Sequence, residues 1–237
     1  MKKFISLCLA LPALATALHA DNSTPTGSLT APTSVPEGTQ AKIAWNIVLP
    51  DGGANITDQD TLEPLQKSKI EVRCIGAGYW GGTKTVKLQM KINNKTYQLF
   101  DNKAKYFTSG TILAENITVK TTDKINFGMM GVSNQSGKYY RWSDTPRTDP
   151  DHSFIALANG DDFPNYTPMG SDGDVDSYLR PYLNDDSNTV SIGPKDVIFI
   201  AELDRRYTYE QSGDPADKGY DMQDMVFLVS FIPIGNN

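Results

Sequence analysis

From Thr85 to Ile92 the chain alternates without a break. Val86, Leu88, Met90 and Ile92 fall on one side, and Lys87, Gln89 and Lys91 on the other. A period of two places successive side chains on opposite faces of a strand, one face buried and one wetted, as in antiparallel sheets. The same period runs through "KIEVRCI", where Ile70, Val72 and Cys74 oppose Glu71 and Arg73, and through "AKIAWNIVL", where Ile43, Trp45 and Ile47 share a face. Asn93-Asn94 separates "TVKLQMKI" from "TYQLF" and predicts a hairpin turn. Further strands are expected at "TILAENITV", "KINFGMM", "KYYRW", "SFIALA" and "NTVSI". "DVIFIAEL" and "DMVFLVSFI" are apolar at almost every position, which predicts central, neighbouring strands. No stretch keeps a helical period for three turns. "DSYLRPYL" comes nearest, and Pro181 cuts it short.

Many short strands punctuated by Gly, Pro, Asn and Asp predict an all-β fold, an antiparallel β-sandwich of jelly-roll-like kind. One long acidic loop, roughly 144–186, is broken only by "FIALA". The expected organisation is a leader over 1–20, an extended or disordered Ser/Thr/Pro-rich arm over 21–40, and one sandwich domain over 41–237. The alternative is two sandwiches divided near 134–137.

Charge and ends add a compartment. "MKKFISLCLALPALATALHA" reads as a secretory signal peptide: two lysines, a short apolar run and small residues at its close. Its removal leaves 20 basic residues against 28 acidic ones, a net charge of −8, with Cys74 as the one cysteine and His152 as the one histidine. An exported, periplasmic, cell-surface or extracellular chain is expected, without membrane insertion. Its acidity disfavours nucleic acid and favours cations. With no disulfide available, the fold has to rest on core burial, which about 215 residues can supply.

Acids concentrate in the last third. "DGDVDS" holds Asp172, Asp174 and Asp176 at alternate positions, but Ser177 and Leu183 stand where a calcium loop of the EF-hand type needs glycine and glutamate. Glu202 and Asp204 lie at the end of one apolar segment, and Asp217, Asp221 and Asp224 lead into the next. If the two segments pair antiparallel, these carboxylates converge and need a positive partner, either a cation or Arg205 and Arg206. A lone histidine excludes a two-histidine zinc site, and G-x-S-x-G is absent. Cys74 sits on the apolar face of its strand, the setting of an inert thiol.

The tail "FIAELDRR … GDPADKGYDMQDMVFLVSF" resembles a class of secreted bacterial β-domains of unknown function, whose closing motif runs Asp-x-Asp-(Phe or Tyr)-Asn-Asp-apolar. Asp221 and Asp224 match its second and third acids and Glu202 the upstream glutamate. Gly219, Met222 and Gln223 depart from it. The resemblance covers about the last fifty residues. It implies Ca²⁺ at the acids and a role in surface recognition.

Exposed aromatics supply the remaining hint. Tyr79 and Trp80 in "GAGYWGG", and Trp142 in "KYYRW", can stack on a sugar or pack on a partner protein. The expectation is therefore an exported, non-enzymatic sandwich that binds a structural cation and recognises a surface glycan or protein. A hydrolase using a carboxylate pair of the acidic loop, such as a glycoside hydrolase, is one alternative. A subunit of a surface fibre or envelope assembly is another.

Overall fold

The computed structural model describes residues 26–30, 44–48, 52–57, 60–132, 140–146, 153–163, 175–184, 187–203 and 222–234. Two short strands open the described chain, β1 (Thr26–Thr30) and β2 (Ala44–Val48), paired antiparallel with each other. β1 falls within the segment expected to be an arm. Next come β3 (Ala54–Ile56), β4 (Leu62–Pro64), β5 (Ser68–Gly76), β6 (Thr85–Ile92), β7 (Lys95–Lys103), β8 (Ile112–Val119) and β9 (Ile125–Val132). After these follow β10 (Arg141–Trp142), β11 (Phe154–Leu157), a five-residue helix α1 (Val175–Leu179), β12 (Leu183–Asn184), β13 (Thr189–Val190), β14 (Asp196–Ala201) and β15 (Met225–Pro233).

Two antiparallel sheets form the body. One runs β3-β4-β9-β6-β7, with β10 added on β9. The other runs β11-β14-β15-β5-β8. They face each other across one core. Phe127 of β9 reaches Phe199 of β14 and Phe227 of β15, each at 4.9 Å between ring centroids. Phe199 and Phe227, paired in register, stack at 5.2 Å. The chain is thus an all-β antiparallel sandwich. Its core draws on strands from both sides of residues 134–137, since β5 pairs with β15.

Local sequence explains the elements. β6 is buried at every second residue, with Val86, Leu88 and Met90 at 0 % exposure and the lysines outside. The β6–β7 hairpin turns at Asn93, whose φ of 51° lies in the left-handed region that asparagine tolerates. The Asn93 side chain donates to Asp123 and accepts from the Lys124 N–H, so it also pins the neighbouring turn. In "DSYLRPYL" the helix stops at Leu179, and a 3₁₀ turn, Arg180–Tyr182, carries Pro181.

β14 is buried on both faces, and β15 over its first residues, Met225 to Phe227. Val197, Phe199 and Ala201 enter the inter-sheet core, while Ile198 and Ile200 enter a second cluster with Leu157, Phe163, Leu179, Val190 and Val226. α1 and the β12–β13 pair supply part of that outer cover. Ile75 joins it by facing away from the inward Cys74, and a β-bulge opposite Val226 and Phe227 turns Gly76 to the same side. Gly76 is required here, because a Cβ would fall 2.3 Å from the Tyr178 ring of α1. Each large side chain so buried contributes roughly 1.5–3 kcal/mol. Cys74 is 1 % exposed in the inter-sheet core, and burial pushes its thiol up to about 12.

Candidate functional site

Two of the acids expected to converge, Glu202 and Asp224, stand at the joined end of β14 and β15. β14 and β15 run antiparallel, with Phe199 opposite Phe227 and Ile200 opposite Val226. At their joined end the ladder gives way to an isolated parallel bridge between Ala201 and Gln223. Glu202 and Asp224 are 2 % and 8 % exposed there. Each reaches across to the other segment's backbone: the Leu203 N–H donates to Asp224 Oδ2 at 2.6 Å, and the Met222 N–H donates to Glu202 Oε2 at 3.3 Å. The carboxylates thus take backbone donors that the antiparallel ladder leaves over, the reciprocal logic of a helix capping box applied to two strand ends.

The clamp holds an uncommon conformation. Met222 has φ of 56°, where a long side chain is costly, yet its side chain is fully buried in the second cluster. The Glu202 N–H donates to the Ser153 carbonyl at 3.0 Å, and Ser153 Oγ accepts from Arg141 at 2.9 Å, which ties the junction to β10 of the other sheet. Asp204, Asp217 and Asp221 lie outside the described residues, as do Arg205 and Arg206. Among the described residues no group of three or more His, Cys, Asp or Glu side chains stands ready for a metal ion.

Sequence reasoning missed a third buried acid, Asp60. It is fully buried, has φ of 53°, and accepts the Ala156 N–H of β11 through Oδ1 at 3.1 Å. No local pattern marks it, since the partner is 96 residues away. Of the acidic loop, Asp161 accepts the Ala158 N–H at 2.7 Å and shapes a turn. Asp172, Asp174, Asp185 and Asp186 lie outside the described residues, and of the Asp176 side chain nothing is described.

The aromatic candidates divide. Tyr79 is a correction: it is 1 % exposed and belongs to the inter-sheet core, so it cannot stack on a ligand. Its hydroxyl lies over Gly131, where a Cβ would be only 2.3 Å away. Trp80, the next residue, turns the other way at φ of 50° and is 46 % exposed.

Trp142 is partly buried on the outer face of the six-stranded sheet. It pairs with Gly128, and its ring lies over that glycine, where a Cβ would sit 2.8 Å from ring carbons. The Tyr140 ring stands 6.1 Å away, tilted by 38°, and Lys91 Nζ lies 5.7 Å from the Trp142 ring centroid. Beside them a chain of amides is locked in place. Gln98 donates to the Phe100 and Leu88 carbonyls and accepts from Gln89 Nε2 at 2.9 Å and from the Tyr140 hydroxyl at 3.4 Å. Lys87 is paired with Asp101 at 2.9 Å, which raises the lysine's pKa through the hydrogen bond from its ammonium. Sequence periodicity puts Lys87, Gln89 and Lys91 on this face. It does not reveal that Trp142 and Tyr140 come to lie beside them, because β10 reaches the sheet only through its pairing with β9.

The arrangement is a polar sheet face with one seated indole, hydrogen-bonded amides and a lysine, in a two-sheet all-β module. Comparison with protein-family models, with curated proteins and with solved structures finds no match for this chain. Among the described residues no helix is long and apolar enough to cross a membrane.

Proposed function

We propose that this protein is an exported, non-enzymatic recognition module that binds an uncharged oligosaccharide across the outer face of the six-stranded sheet. The observation that carries this reading is the seating of Trp142 on Gly128, beside Tyr140 and the Gln89–Gln98 amide pair. Apolar C–H faces of a pyranose stack on an indole, and hydroxyls exchange hydrogen bonds with amides whose orientation is already set. The Lys87–Asp101 pair is internally neutral, which suits an uncharged ligand. The test is a screen of the mature protein on a glycan array, followed by calorimetry of the best neutral oligosaccharide. Loss of binding in Trp142→Ala, with the fold retained, supports the reading. Full binding in Trp142→Ala overturns it.

A structural cation, Ca²⁺, at the strand-end junction is a second reading. It is favoured by the burial of two carboxylates, Glu202 and Asp224, at the same strand-end junction. Thermal melting of the chelated protein with added Ca²⁺ tests it: a rise in Tm that grows with calcium concentration supports a site, and coincident melts with calcium and chelator remove it.

A further inference from the structure

A second exposed aromatic group stands at the open end of the β6–β7 hairpin. Two tight turns meet there, Tyr79–Gly82 before β6 and Ala104–Tyr106 after β7. They are held together because the Ala104 N–H donates to the Lys84 carbonyl at 2.9 Å and Thr85 pairs with Lys103. Each turn displays one aromatic ring, Trp80 at 46 % and Tyr106 at 53 % exposure. Each ring carries an adjacent ammonium: Lys84 Nζ lies 5.9 Å from the Trp80 centroid, and Lys105 Nζ 5.0 Å from that of Tyr106. Lys103 adds a third lysine, exposed at the end of β7, beside exposed Lys105 and half-buried Lys84.

Lysines are more numerous here than at the Trp142 platform, where Lys91 stands by the indole and Lys87 is paired with Asp101. Among the described residues three ion pairs form, Arg73–Glu71, Lys87–Asp101 and Lys124–Glu63. None uses Lys84, Lys103 or Lys105, and Asp101, the acid nearest in sequence, is engaged by Lys87. A chain of net charge −6 therefore gathers lysines around two exposed rings at one hairpin end. An ammonium beside an aromatic face is matched by a ligand that offers both a C–H face and a carboxylate, which is the chemistry of a uronic acid. We propose that the Trp80–Tyr106 turn pair is a separate binding site for acidic oligosaccharides, with Trp80 as the stacking platform and Lys84 and Lys105 as the carboxylate partners.

The test uses calorimetry of the full mature chain with tetragalacturonate and with its methyl ester, which keeps the sugar faces and removes the charge. Trp80→Ala is expected to weaken tetragalacturonate binding about tenfold, the size of one lost stacking contact. The double variant Lys84→Gln, Lys105→Gln is expected to weaken it by a similar factor and to flatten its dependence on salt. Lys120→Gln, a lysine at the far end of β8, serves as the charge control and is expected to bind as the parent does. Because Trp80 is surface-exposed, circular dichroism of the variants is expected to match the parent. Equal binding of the acid and the ester, unchanged binding in both turn variants, or no binding of tetragalacturonate each overturns the proposal. Binding of neutral sugars at Trp142 is read separately, so either site can fail alone.

Discussion

The β14–β15 pair and the β6–β7 hairpin are both antiparallel and both reach the same inter-sheet core, yet they are built on opposite terms. β6 buries every second residue and leaves lysines and a glutamine outside. β14 is buried at five successive positions, because a second layer of α1, β12 and β13 covers its other face. The hairpin therefore keeps a wetted face that carries polar and aromatic groups. β14 has no such face, and β15 bares its outer side only toward Ile232. The pair's polar chemistry is pushed to the strand ends, where Glu202 and Asp224 close the ladder. One sheet displays and the other supports, and the difference follows from whether the second face is covered.

The largest expected effects test that contrast directly. Phe199→Ala removes a ring that touches Phe127, Phe154 and Phe227 and is expected to cost about 3–5 kcal/mol in denaturant unfolding. Ile200→Ala, on the opposite face of the same strand, is expected to cost about 2–5 kcal/mol. A value near zero there would mean that the outer layer is not a true core. Gln89→Ala on the wetted face of β6 is expected to stay within about 0.5 kcal/mol.

Next in size is the strand-end clamp. Asp224→Ala leaves the Leu203 N–H buried without its acceptor and is expected to cost about 1.5–3 kcal/mol by urea unfolding. A double-mutant cycle with Glu202→Ala measures whether the two carboxylates act as one unit. Strict additivity would show two independent hydrogen bonds instead.

Cys74 gives a pH signature of the buried side. Its thiol is held up to about 12 in the folded chain against an ordinary value near 9.0, so the unfolded chain loses its proton first. Stability is then unaffected by this group below about pH 9 and falls as pH rises toward 12, by at most about 1.4 kcal/mol per pH unit. Cys74→Ala is expected to flatten that part of the stability–pH curve. An unchanged slope would show the thiol to be ionisable in place.

The smallest expected change in stability, with the sharpest change in display, comes from Gly128→Ala. The new Cβ meets the Trp142 ring at 2.8 Å and must move it. Tryptophan emission is expected to shift and neutral-sugar affinity to fall, while the melting temperature changes little because the ring sits on the outer face. A large loss of stability would show Trp142 to be packing rather than platform.

Legibility in the sequence follows the range of the interactions. Alternation in β6 and β5 identifies the inward residues, including Cys74, because a strand's period is local. Asn93 marks its turn and Pro181 ends its helix through their own backbone preferences. The short strands β3, β4 and β12 carry no periodic signal, being two or three residues long and paired by tertiary context. Tyr79 and Trp80 are indistinguishable by composition. Only the reversal of direction within their turn buries one and exposes the other. Asp60 is invisible for a different reason: its partner strand is distant in the chain.

By itself the sequence determined the alternating strands, their inward set and the neighbouring placement of the two apolar segments. These are consequences of side-chain period and hydrophobicity, which act over a few residues. The tertiary structure alone decided the covered outer face of β14, the bulge that turns Gly76 toward Tyr178, the seating of Trp142 on Gly128 and the reciprocal grip of Glu202 and Asp224 on backbone N–H groups. Each of these depends on which surfaces come within contact distance once two sheets and a covering layer have packed, and no local pattern carries that information.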